Sequence, residues 1–321
     1  MKYRDFIPEN CALPETRRIG IYNSEGNRVG LIPLGSLAVA DMGAKQYSFG
    51  ALSDIHLQYD TAQSDFIRAL TWLNRKVHVE FICIAGDLTV SGSDEELAAY
   101  KSMVDTYSPD TPVYAIAGNH ESYRGADLET VIGQYTGYPL YYSFRQEEDV
   151  FIMLGVRGDS EGTLFTEAEL HWLQDTLEEN RDRRCFLFTH VRPQDGCGNA
   201  FGIYSNDIWG GEEAARFENL MEQYPNVILF HGHSHLKFYL QYGSDIANYD
   251  RLFGCHSVHI PSLAVPRDGD ASGASSRKEI YADSEGYVVD VYEKGVLLKG
   301  RDFVNETWVP IAVYWLSTTR G

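Results

Sequence analysis

Five short apolar runs, Tyr47 to Leu52, Phe81 to Ala85, Val113 to Ala117, Cys185 to Thr189 and Val227 to Phe230, limit what this chain can fold into more than any other feature. Each reads as a buried β-strand. Just past each run stand side chains that bind metals: Asp54-Ile55-His56, Gly86-Asp87, Gly118-Asn119-His120-Glu121, His190 and His231-Gly232-His233-Ser234-His235. In α/β folds the loops beyond the carboxyl ends of parallel strands gather around ligands. The placement therefore predicts parallel neighbours joined by helical crossovers, with these side chains brought to one crevice.

The intervening segments fit that plan. Phe66, Ile67, Ala69, Leu70 and Leu73 recur at helical spacing within Ala62 to Lys76, so the Asp54 fragment becomes a strand-to-helix loop. Ser93 with Glu96, and Thr166 with Glu169, have the reciprocal spacing that starts a helix. Asp149 to Leu154 reads as the strand before the Thr166 helix, and Glu213 to Met221 as the helix before the Val227 strand.

The ends of the chain differ from its middle. Arg18 to Tyr22 and Arg28 to Ile32, separated by residues 23–27, read as a hairpin in a β-rich lead-in over residues 1–48. After His235, the segments His256 to Leu263, Gly286 to Tyr292, Gly295 to Leu298 and Trp308 to Tyr314 read as strands without long helices between them. They are expected to complete a second sheet within a main domain over residues 49–321. Arg267 to Arg277, rich in Gly, Ser, Asp and Ala, reads as a surface loop.

A formal charge of -19 argues against broad attraction to nucleic acid or to an anionic membrane. It leaves phosphate substrates open, because bound metal ions invert the local potential. The sequence shows no apolar stretch approaching the length of a membrane span, and residues 1–8 have no apolar h-region, so a soluble protein without a recognisable export signal is expected. Cys11, Cys83, Cys185, Cys197 and Cys255 are odd in number and form no C-x-x-C pair, which favours a reducing compartment and a cytoplasmic location. Cys83 and Cys185 lie within strand-like runs, as buried hydrophobes do, whereas Cys197 sits in a Gly-rich loop compatible with exposure.

Asp, His and Asn offer oxygen and imidazole donors to divalent metals of borderline softness, and a carboxylate can bridge two ions. Two residues apart, Asp54 and His56 share a side of an extended segment, as do His233 and His235. Any one of these has a plain structural reading, such as Asp87 capping a turn or His56 filling a core gap. Five in matching settings argue for a dinuclear metal centre.

In order along the chain, these fragments resemble the signatures of the calcineurin-like metallophosphoesterases: D-x-H, G-D, G-N-H-[DE], a single His and G-H-x-H. The resemblance runs from Asp54 to His235. It implies an α/β fold, a four-layer αββα sandwich with two mixed β-sheets, and hydrolysis of phosphoesters with a water activated by the metal pair. It further implies that Asp54, His56, Asp87 and His235 hold one ion, and that Asp87 bridges to a second held by Asn119, His190 and His233. The ions would be divalent or trivalent transition metals, from Mn, Fe, Zn, Co and Ni. His231 stays outside the ligand set. His120 is where the family places an acid or a phosphate-positioning residue, and Glu121 either orients it or closes a turn.

One departure narrows the substrate. The related protein serine/threonine phosphatases carry G-D-x-V-D-R-G, whereas this chain reads Gly86-Asp87-Leu88-Thr89-Val90-Ser91-Gly92, without the second Asp or the Arg. A small-molecule or nucleotide phosphodiester is the leading expectation, and a small phosphomonoester the alternative. A metal-stabilised binding or scaffold protein is the non-enzymatic one. Tyr123, Arg124, Asn199, Tyr204, Asn206, Asp207 and Trp209 are candidates to shape the leaving-group pocket, and Arg157 and Arg192 to contact phosphate.

Overall fold

Side chains alternate across the two faces of a strand, and along the first apolar run this alternation separates two cores. In the computed structural model, which describes residues 18–22, 28–33, 42–157, 164–191, 197, 211–238, 248–269, 277–279 and 282–318, Tyr47, Phe49 and Ala51 face one cluster and Leu52 faces another.

The strands are β1 (Arg18–Tyr22), β2 (Arg28–Pro33), β3 (Lys45–Leu52), β4 (Phe81–Ile84), β5 (Val113–Ala115), β6 (Tyr141–Gln146), β7 (Asp149–Leu154) and β8 (Cys185–Phe188). They continue with β9 (Val227–His231), β10 (Tyr249–Leu252), β11 (Cys255–His259), β12 (Arg267–Gly269), β13 (Arg277–Glu279), β14 (Glu285–Tyr292), β15 (Gly295–Asp302) and β16 (Thr307–Ser317). The α-helices are α1 (Ala62–Trp72), α2 (Asp94–Tyr107), α3 (Leu128–Thr136), α4 (Glu167–Glu179) and α5 (Gly211–Gln223). One sheet has eight strands in the order β2-β1-β16-β15-β14-β3-β4-β5, and another has six in the order β10-β11-β9-β8-β7-β6.

Between the two sheets Phe49 and Phe81 meet Phe151, Phe186 and Phe188. The Phe49 and Phe151 rings pack edge-on at 5.1 Å. The other face of the eight-stranded sheet packs Leu52, Ile82 and Ile84 against Phe66 and Leu70 of α1 and Leu97 and Tyr100 of α2. The far face of the six-stranded sheet packs Ile152, Leu187 and Leu229 against Leu170 and Leu173 of α4 and Phe217 and Met221 of α5. The result is the expected four-layer αββα sandwich. Each fully buried large side chain contributes roughly 1.5–3 kcal/mol, so the layered cores fix where the loops at the strand ends lie.

The reciprocal caps at Ser93/Glu96 and Thr166/Glu169 are both present. The first helix is shorter than its pattern predicts. It ends at Trp72 and continues as a single π turn over Leu73–Val77, closed by His78 in the left-handed region at φ 59°. The wider turn keeps Leu73 in the core while Val77 packs against the same cluster.

The late strands divide differently from the expectation. β11 lies beside β9 in the six-stranded sheet, but β14, β15 and β16 extend the other sheet, with β14 antiparallel to β3. β14 is buried along its whole length. A strand covered on both faces carries no alternation to say which sheet it joins. The lead-in hairpin pairs as predicted and attaches through β1, parallel to β16. The ends of the presumed surface loop pair as β12 and β13. Among the described residues no helix is long and apolar enough to cross a membrane.

Candidate metal centre

The centre is built where β3, β4 and β5 of one sheet and β8 and β9 of the other end side by side. The turns there are unusual in backbone conformation: Asp54 (φ 54°), His56 (44°), Asp87 (50°), His233 (71°) and His235 (60°) all adopt the left-handed region. For residues other than glycine this costs of order 1–3 kcal/mol each and persists only where the surroundings over-determine it. Here main-chain bonds cross between the turns. Ile55 N–H donates to the Asp87 carbonyl at 2.8 Å, and Gly232 N–H to the His190 carbonyl at 3.0 Å. His233 N–H donates to Asp54 Oδ2, and His120 N–H to Asp87 Oδ1, both at 3.0 Å. Two motif glycines are needed for close approach. A Cβ on Gly118 would collide with Asp87 Oδ1, and one on Gly232 with Ser53 Oγ and Asp54 Oδ2.

All seven predicted ligands converge. One donor atom from each of Asp54, His56, Asp87 and His235 falls within 4.8 Å of the others, and the same holds for Asp87, His190 and His233. Asp87 belongs to both groups. The second group gains an oxygen from Asn119, whose Oδ1 lies 3.0 Å from His190 Nε2.

The donor chemistry fits a pair of cations. Ligands at about 2.0–2.1 Å from a tetrahedral or octahedral ion lie about 2.9–3.4 Å from one another. His56 Nε2 is 3.0 Å from His235 Nε2, which is 3.0 Å from Asp54 Oδ1. His190 Nε2 is 3.0 Å from Asp87 Oδ2. Because His190 Nδ1–H donates to the Ala85 carbonyl at 2.7 Å, its Nε2 faces the oxygens of Asp87 and Asn119, an arrangement that calls for a proton or a metal cation between them. Asp54 Oδ1 is buried and receives no well-directed hydrogen bond.

Burial lowers His56 and His233 to about 3, so both stay neutral and able to coordinate. Burial would also lower His190, but Asp87 and then Asp54 outweigh it and raise it to about 9. Burial likewise opposes ionisation of Asp54 and Asp87, yet the surrounding imidazoles hold both carboxyls below their usual range. Cation binding here displaces a proton, as is general for imidazole sites.

His120 borders the pair without joining either group. Its Nδ1–H donates to the Val90 carbonyl at 2.6 Å, which turns Nε2 toward the centre, 3.9 Å from Asp87 Oδ2. Glu121 does not hold the His120 ring. Its Oε1 accepts from Thr89 N–H at 2.9 Å and Thr89 Oγ at 2.6 Å, and its Oε2 from Gly118 N–H at 2.9 Å, tying the β4 loop to the β5 loop. Residue identity could not disclose the Val90 contact, because any amino acid has that carbonyl.

The side residues sort less uniformly. Tyr123 is 65% exposed, with its ring 5.3 Å from that of His120. Arg124 reaches Asp94, and Arg157 pairs with Glu169 and Glu129, so neither is an uncommitted phosphate donor. Arg192, Asn199, Tyr204, Asn206, Asp207 and Trp209 lie outside the described residues. Cys197 is buried rather than exposed, its Sγ 3.5 Å from His231 Nε2 and from the Ser257 carbonyl, and Cys83, Cys185 and Cys255 are also buried.

A family model for calcineurin-like phosphoesterases matches residues 47–237. A curated relative from Arcobacter nitrofigilis, described as a probable glycerophosphodiester phosphodiesterase GpdQ, is 28% identical over 170 residues, which make up 50% of this chain and 59% of the relative. The match thus spans little more than half of that protein's length. Among solved structures, the purple acid phosphatase PPD1 of yellow lupin (Lupinus luteus) superposes with a TM-score of 0.56 at 14% identity, over 86% of this chain and 54% of that one. The GAP50 anchor of the inner membrane complex of Plasmodium gives 0.57 at 15% identity, over 86% and 90%. At these identities the two structures speak for the fold alone.

Proposed function

Since the chain belongs to the calcineurin-like phosphoesterase family, we propose that it hydrolyses small phosphodiesters, nucleotide diesters among them. In this reading Asp54, His56, Asp87 and His235 hold one metal ion, and Asp87, Asn119, His190 and His233 hold the other. The observation that carries it is the membership of Asp87 in both donor groups. Bound there, two ions would polarise the phosphoryl oxygens and lower the pKa of a water molecule. The chain does the rest. The Val90 carbonyl aims His120, and His120, acting from its doubly protonated form, gives its Nε2 proton to the departing alkoxide as water oxygen bonds to phosphorus and the ester bond breaks, leaving the Nδ1–H imidazole.

Two observations favour a diester. The curated relative is described as a diesterase. Among the described residues, the candidate phosphate donors Arg124 and Arg157 are committed to carboxylates, whereas a doubly charged monoester gains more than a singly charged diester from a guanidinium clamp. The test is metal-loaded turnover of bis(4-nitrophenyl) phosphate against 4-nitrophenyl phosphate, with metal content measured on the same sample. We expect close to two ions per chain and a kcat/KM at least about tenfold higher for the diester, near 1.4 kcal/mol of transition-state discrimination. Release from the monoester alone would reverse the substrate assignment. Two bound ions with no turnover of either would leave a metal-stabilised binding protein.

A further inference from the structure

Behind the centre, the chain that leaves β11 supplies none of the seven ligands, yet it holds loops of both sheets. β11 runs parallel to β9 with His259 opposite His231. From there Ile260 N–H donates to the His231 carbonyl at 2.7 Å, and Leu263 N–H to the Ser53 carbonyl at 2.9 Å. Ser262 Oγ donates to the Asp54 carbonyl at 2.9 Å, and Arg267 N–H to the His235 carbonyl at 2.6 Å. Residues 259–267 thus strap the Asp54 turn of one sheet to the His233–His235 turn of the other.

In this strap the ring of His259 reaches the residue that stands between two ligands in the chain. Its Nε2 lies 2.7 Å from Ser234 Oγ, and Ser234 separates His233 from His235. Both partners are fully buried. The Ser234 hydroxyl also accepts from Leu236 N–H at 3.4 Å, so it is held from two sides. Buried as it is, this bond has no water to replace it when one partner is removed. It acts at a turn whose His233 and His235 both have left-handed backbones, at φ 71° and 60°. Relaxation of that turn would swing both imidazoles away from their partners.

We propose that His259, acting through Ser234, is a positioning residue that holds His233 and His235 at the spacing required by the two ions. The proposal rests on the dinuclear reading above. Groups that orient metal ligands typically change affinity by about 10–100-fold when removed.

The experiment titrates Mn²⁺ into metal-free wild type, Ser234→Ala, Ser234→Thr, His259→Leu and the Ser234→Ala/His259→Leu double variant. Binding is followed by calorimetry and by the electron paramagnetic resonance of the coupled pair. Ser234→Ala and His259→Leu should each raise the Mn²⁺ dissociation constant about 10–100-fold and weaken the coupled-pair signal. Ser234→Thr, which keeps the hydroxyl, should restore both readouts. The double variant should be about as weak as the weaker single, because the two side chains share one interaction. If His259→Leu fails to fold, the Ala and Thr variants at Ser234 decide alone. Unchanged Mn²⁺ affinity in Ser234→Ala, or losses that multiply in the double variant, would overturn the proposal while leaving the metal centre intact. Wild type that takes up none of Mn, Fe, Zn, Co and Ni under any loading condition would overturn the dinuclear reading and this inference together.

Discussion

His120 is aimed by a main-chain acceptor at a loop position where the phosphoprotein phosphatases carry an aspartate. Counting from Gly86, Val90 stands at the place of the second Asp in G-D-x-V-D-R-G, and its carbonyl accepts a hydrogen bond from His120 Nδ1–H at 2.6 Å. A carbonyl fixes the ring's direction and tautomer without bringing a negative charge next to the substrate. His120→Asn should therefore keep both ions and lose roughly 10²–10⁴-fold in turnover of an alkyl diester, whose alkoxide needs a proton to depart. On a nitrophenyl diester the loss should be much smaller, because nitrophenolate departs unassisted. Val90→Ala, which preserves the carbonyl, serves as the control and should turn over both substrates nearly as well as wild type. Equal losses on both substrates in His120→Asn would reassign His120 to holding the phosphoryl group, and loss of metal would make it a ligand.

At the scale of elements, the loops after β4 and β5 are fastened by Glu121, both of whose carboxylate oxygens accept hydrogen bonds. Glu121→Gln places an amide N–H₂ against either the Thr89 pair or Gly118 N–H, leaving a buried donor facing a donor. That should cost about 1–3 kcal/mol of stability, and it should weaken Mn²⁺ uptake, since Asp87 and Asn119 sit on the two fastened loops. Thermal unfolding of the metal-free variant reads the first effect and calorimetric titration the second. A variant that unfolds with wild type and binds normally would reduce Glu121 to closing its own turn. The contrast with neighbouring features explains what the sequence discloses. β3, β4, β5, β8 and β9 were legible because each is a brief apolar run followed by glycine or a metal-binding side chain. The clustering of Asp, His and Asn side chains was legible because few alternatives use these residues at such spacings. By contrast, the sheet joined by β14 was not legible, because a strand buried on both faces has no polar side to orient it. The end of α1 was hidden as well, since a π turn over Leu73–Val77 preserves nearly the same apolar spacing as an α turn. Nor could composition show that Cys197 is buried, because its partners His231 and Ser257 lie far along the chain.

Across the whole molecule, the two donor groups draw on both sheets. Asp54, His56, Asp87 and Asn119 follow β3, β4 and β5 of the eight-stranded sheet, while His190, His233 and His235 follow β8 and β9 of the six-stranded one. The apolar core between the sheets fixes their separation, but at the ligand end of the sandwich Asp54 and Asp87 are buried carboxylates surrounded by imidazoles. Cations bound there would join the sheets at the place where buried charge and strained turns oppose folding. Ligand binding stabilises the folded state by mass action, about 2.7 kcal/mol for one site at a hundredfold excess of free ion over Kd. A change of 1 kcal/mol moves Tm by roughly 2–4 °C in chains of 150–250 residues and by less in longer ones. Chelation of both ions should therefore lower Tm by several degrees, and reloading with Mn²⁺ should restore it. Amide exchange should locate the loss, accelerating in the turns at residues 54–57, 86–92 and 231–235 in both sheets, with β7 and β8 staying protected by their packed cores. An unchanged Tm after verified removal of metal would mean that the main-chain bonds between the turns already hold the sheets together, and that the ions serve only the chemistry.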